Sequence, residues 1–123
     1  MAGMTYRILS TCNYPRPISQ IEKEFLIRGF GMLPGDKPIP IKDSDGKAVS
    51  WVNKEDLVMQ IDALVVIGRC QCSDPNCHTI QFHHHRSGFS EKIIEMVLED
   101  ERTLSIYIDK ERGLVTALEV VKE

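Results

Sequence analysis

No apolar run in this sequence approaches the ~18 residues of a membrane span, and none of its basic residues gather into a run. The chain has 15 Lys and Arg against 18 Asp and Glu, a net charge of −3, which does not suit a phosphate backbone. Neither a nucleic-acid partner nor a membrane partner is therefore expected. The start lacks a charged segment leading into an apolar one, so a cytoplasmic protein with reduced thiols is the default. Enzyme signatures are also missing: there is no glycine-rich phosphate loop, no Gly-x-Ser-x-Gly elbow and no His-Glu-x-x-His helix. Cys77 and His78 are adjacent, and neighbours on a strand point to opposite faces, which places them poorly to share a proton. A catalyst therefore ranks below a binding module.

What the chain does have is concentrated in Arg69 to His85, which holds Cys70, Cys72 and Cys77 and all four histidines. Ala63 to Gly68 before it and Ile80 to Phe82 after it read as strands joined by the turn Ser73-Asp74-Pro75-Asn76. If Cys72 faces Cys77, then Cys70 meets Thr79, Gly68 meets Gln81, Val66 meets His83 and Leu64 meets His85. Directly opposed residues share a face. One face would then carry Cys70, Cys72, Cys77, Thr79, Gln81, His83 and His85, and the core face Val65, Ile67, Ile80, Phe82 and His84.

That register separates two candidate sites. His83 lies roughly 13 Å along the strand from the level of Cys70, at about 3.3 Å per residue, too far for one ion with bonds of about 2.0–2.3 Å. At the thiol end the candidate ligands are Cys70, Cys72 and Cys77, with a fourth from His78, Cys12 or water. His78 qualifies only if the turn departs from a regular hairpin, and Cys12 only if the first strand ends beside the turn. Zinc is the metal these ligands suit. Its competitors are reduced, partly packed thiols, since only one incomplete knuckle is present, and a Cys72–Cys77 redox pair. Thr79, Gln81, His83 and His85 form a candidate ligand face, and the histidine run reads equally as the polar end of a strand.

The remainder is ordinary by comparison. Thr5 to Thr11 reads as a first strand, and Ile18 to Arg28 as an amphipathic helix with Ile18, Ile21, Phe25, Leu26 and Ile27 apolar, stopped by Gly29. Ile39 to Ile41 and Ala48 to Val52 flank Asp43-Ser44-Asp45-Gly46, a hairpin turn and not a calcium loop, because the twelfth position is Lys54. Trp51, the only tryptophan, is expected on the core edge. Asn53 opens a short helix to about Gln60. Ile93 to Leu98 is taken as a strand, and Thr103 to Asp109 with Leu114 to Val121 as a hairpin around Gly113. From Ala63 to Val121 the expectation is an antiparallel meander.

The runs Val65 to Cys72, Cys77-His78-Thr79-Ile80 and Asp109 to Val121, with Leu118-Glu119-Val120, resemble a group of small bacterial proteins of unassigned function. These carry a cysteine-rich strand turn (Cys-x-Cys…Cys) and a C-terminal Leu-Glu-Val hairpin. The likeness covers the second half, and it departs at Gln71 and at the longer Ser73 to Asn76 turn. It implies a fold and no activity.

The expectation is one α+β domain over residues 1–123, with a single antiparallel sheet of about five strands packed against one main N-terminal helix. Its function would be that of a non-enzymatic accessory or protein- or ligand-binding module, self-associating as a homodimer through a sheet edge or face. The alternatives are a zinc-binding protein with a structural cysteine site at the 70–77 hairpin and, behind it, a metal-dependent hydrolase.

Overall fold

The computed structural model of the chain describes residues 14–69 and 78–122. The expected first strand, Cys12, Cys70, Cys72 and Cys77 lie outside them. The elements in order are β1 (Arg16–Pro17), α1 (Gln20–Phe30), β2 (Ile39–Lys42), β3 (Ala48–Val52) and α2 (Lys54–Gln60). A 3-10 turn (Ile61–Ala63) then leads to β4 (Val65–Arg69), β5 (His78–Phe82), β6 (Ser90–Val97), β7 (Arg102–Asp109) and β8 (Val115–Lys122). No helix among the described residues is long and apolar enough to cross a membrane.

The α+β class holds, but the single five-stranded sheet does not. Among the described residues there is a six-stranded antiparallel sheet in the order β1-β4-β5-β8-β7-β6 and a separate two-stranded sheet, β2-β3. The sheet is also not a meander, because β5 pairs with β8 while β6 lies beyond β7. Strands β5 to β8 thus form a Greek key, and residues 83–89 cross the end of the sheet over the β7–β8 turn. Polar groups hold that crossing down. Lys110 N–H donates to the Phe89 carbonyl at 2.8 Å, Arg112 Nη2 to the His84 carbonyl at 2.7 Å, and Arg86 reaches Asp109.

Helix α1 begins where it does because Ser19 and Glu22 form a capping box. Ser19 Oγ accepts from Glu22 N–H at 3.3 Å, and Glu22 Oε1 accepts from Ser19 N–H at 2.9 Å. The expected stop at Gly29 is not observed. The helix runs on to Phe30, and Gly29 is buried where α1 crosses β7. A Cβ there would overlap Ile106 Cδ1 and lie 3.2 Å from Leu104 Cδ2, so the glycine serves close approach and not termination. The buried stripe is therefore Glu22, Leu26, Gly29 and Phe30. Ile21 and Ile27, expected inside, are more than half exposed.

Leu26 and Phe30 join Leu104, Ile106 and Ile108 of β7 and Val115, Leu118 and Val120 of β8, all fully buried, in one core cluster. Ile39, Ile41, Val52 and Leu57 from the β2-β3 hairpin and α2 belong to the same cluster. Ile94 enters it from β6, as the strand assignment for Ile93 to Leu98 requires.

The β4–β5 register follows expectation near the turn and departs from it lower down. Gly68 meets Gln81 and Arg69 meets Ile80, but Val66 meets Phe82 and not His83. A β-bulge at Ile67 takes up the difference. Val66 is consequently buried in the core and Ile67 is 42% exposed, the reverse of the expected faces.

Candidate metal centre

Three elements that are distant in sequence bring Arg16, Glu22 and His78 together. β1 supplies Arg16, the first turn of α1 supplies Glu22, and the start of β5, paired with Val120 of β8, supplies His78. Arg16 Nη1 and Nη2 donate to Glu22 Oε1 and Oε2 at 2.9 and 2.7 Å, a bidentate pair. Glu22 Oε2 lies 3.0 Å from His78 Nε2. The carboxylate is 1% exposed, and with Ser19 N–H each of its oxygens has two partners. Burial pushes its pKa up, but the hydrogen bonds from Arg16, His78 and the Ser19 backbone outweigh it and hold the carboxyl well below the usual carboxylate range.

That electrostatic balance fixes the direction of the bond to the imidazole. An ionised carboxylate only accepts hydrogen bonds, so His78 Nε2 is the donor to Glu22 Oε2. The ring also packs against Phe25, one turn along α1 from Glu22, with centroids 6.2 Å apart. A carboxylate behind one imidazole nitrogen orients the ring, an arrangement also found behind ligating histidines.

The remaining expected residues are distributed as follows. Thr79 pairs with Glu119 and Gln81 with Ala117, each on the sheet face opposite Ile80. β5 ends at Phe82, so His83 and His84 lie in a turn, beyond the reach of strand alternation. His83 is tied to Val65 twice, its N–H donating to the Val65 carbonyl at 2.8 Å and its Nδ1 accepting from Val65 N–H at 3.2 Å. Its ring stacks on that of His84 with centroids 3.8 Å apart. His85 N–H donates to the Phe82 carbonyl at 2.9 Å. Among the described residues, no group of three or more His, Cys, Asp or Glu is placed to hold a metal ion. The sequence reading missed Arg16 and Glu22 altogether. The signal for Glu22 was the Ser19-x-x-Glu22 spacing of a capping box, which marks a glutamate held at a helix start.

At the sheet edge, β6 carries a bulge at Ile93 and the charged side chains Glu91, Lys92 and Glu95, features that guard an edge against pairing with another chain. Compared with known proteins, the chain matches no family model, no curated protein and no solved structure. A functional reading therefore rests on its own residues.

Proposed function

We propose that this chain is a small zinc-binding protein, in which the thiolates of Cys70, Cys72 and Cys77 and the Nδ1 of His78 hold the ion. One observation carries the reading: a buried, ionised Glu22 backs His78 Nε2 at 3.0 Å, and His78 follows Cys77 directly in a segment that also holds Cys70 and Cys72. Three thiolates and one imidazole are a tetrahedral set that zinc takes in structural sites. The reading requires the chain to leave strand alternation between Cys77 and His78, as a metal knuckle does. It favours His78 over Cys12 as fourth ligand, and it gives the ion the role of fixing the β4–β5 turn of an accessory or binding protein.

The test is elemental analysis of protein purified without an affinity tag, together with a thiol count before and after chelation. About one zinc per chain is expected, with three thiols becoming reactive only once the metal is removed. Metal-free protein with four freely reactive thiols would overturn the proposal.

A further inference from the structure

A pocket of about 400 Å³ opens between β3, α2 and the β7–β8 turn, at the opposite end of β8 from the His78–Val120 pair. Two of the polar side chains lining it are already committed. Gln60 Oε1 accepts from Val115 N–H at 2.8 Å and its Nε2 donates to the Gly113 carbonyl at 3.0 Å. Arg112 donates to Asp109 through Nε at 3.0 Å and Nη2 at 2.8 Å, and to His84. The rest of the lining is of a different kind. Trp51 exposes 63% of its surface, against the expectation that it would pack on the core edge. Asn53 stands at the N-cap of α2, yet its side chain makes no capping bond. Asp56, three residues on, is exposed.

Charge decides what such a lining can take. Among the pocket residues and the groups bonded to them, Asp109 and Glu111 offset Arg86 and Arg112. Asp56 is left as the remaining charge, in a lining that it shares with Trp51 and Asn53. An indole face attracts cations, and a planar guanidinium both stacks on aromatic rings and bonds carboxylates in bidentate fashion. We propose that this pocket binds a guanidinium group, stacked on Trp51 and hydrogen-bonded to Asp56 and to the Asn53 side-chain oxygen. The group would come from free arginine-like compounds or from an arginine side chain of a peptide.

Because Trp51 is the only tryptophan in the chain, its emission reports on the site directly. The experiment titrates the full chain with N-acetyl-arginine amide, with free arginine and with N-acetyl-citrulline amide, which replaces the cation by a neutral group of the same shape. A saturable change in emission with an arginine probe is expected. The citrulline probe should bind at least about tenfold more weakly, and Asp56→Asn should weaken the arginine probe by about tenfold, as the loss of a charge-assisted bond predicts. Tighter binding of the capped probe would identify a peptide-borne arginine, and tighter binding of free arginine a small molecule. Equal binding of arginine and citrulline probes, an Asp56→Asn chain that binds as before, or no saturable response would overturn the proposal. Asp56 is exposed, so its substitution does not threaten folding.

Discussion

Arg86 Nε donates to Asp109 Oδ2 at 2.6 Å, joining the chain crossover of residues 83–89 to the end of β7. Asp109 is fully buried and also accepts from Arg112 and from the backbone N–H groups of Glu111 and Arg112, both at 2.9 Å. One carboxylate therefore fastens both the β7–β8 turn and the loop that passes over it. Asp109→Ala removes the buried partner of two guanidinium groups and should destabilise the fold by about 3 kcal/mol, the lower end for a buried pair because both arginines reach solvent and keep other partners. Urea unfolding measures this, and a loss below about 1 kcal/mol would contradict the assigned role.

Stability should fall with acid in two stages. The hydrogen bonds from Arg86, opposed by burial and helped by Arg112, hold the Asp109 carboxyl well below its usual range. Its stabilisation is therefore present above the unfolded value of about 3.9 and is lost as pH drops through the lower, folded value. His84 acts earlier. Burial, with His83 and Arg112 adding to it, lowers its pKa, so the unfolded chain takes up the proton first and stability declines below about 6.5. Thermal melts between neutral and acid pH should show a shallow loss and then a steep one. His84→Asn should remove only the shallow part.

Gly29→Val should cost about 2 kcal/mol in a denaturant melt, since its branched side chain must displace Ile106 and Leu104 in a filled core. Gly29→Ala should cost less, because the gain of about 1 kcal/mol in helix propensity works against the same overlap. An Ala variant less stable than Val would contradict this account of the crossing.

If zinc sits where proposed, removing it should lower the melting temperature, and restoring zinc should recover it. Glu22→Gln keeps the shape but removes the charge behind His78, and losses of roughly 10–100-fold in metal affinity follow from such changes. Competition against a chromophoric chelator would read this, with circular dichroism establishing that the variant is folded. Unchanged affinity would mean that Glu22 serves only the helix start and Arg16.

Local pattern made much of this fold legible. The β7–β8 hairpin announces itself by alternation around Gly113, which adopts φ +68°. The Asp43 to Gly46 turn was similarly readable, with Gly46 at φ +79°. Strand order was not, because the pairing of β5 with β8 is a long-range choice that no local spacing encodes. The bulge was hidden for another reason. Leu64-Val65-Val66-Ile67 is apolar throughout, so alternation could not show which of its residues faces inward. At the candidate site His78 was legible through its neighbouring cysteines. Glu22 was not, since a charged residue on an amphipathic helix is ordinarily read as solvent-facing, and Arg16 was not, since its partner lies on another element.

The extra residue at Ile67 separates the hairpin into two independently phased halves. Below it, Val66 and Phe82 are held by the core, while above it Gly68 and Arg69 follow the count set by Gln81 and Ile80. A one-residue change in the length of β4 can therefore be absorbed at the bulge, letting Gly68 and Arg69 be re-registered without turning the core strand over. The same change within Ile80 to Phe82 has no such slack, since β5 is also locked to β8 from His78 to Gln81. Variation in strand length should accordingly be tolerated in β4 and selected against in β5.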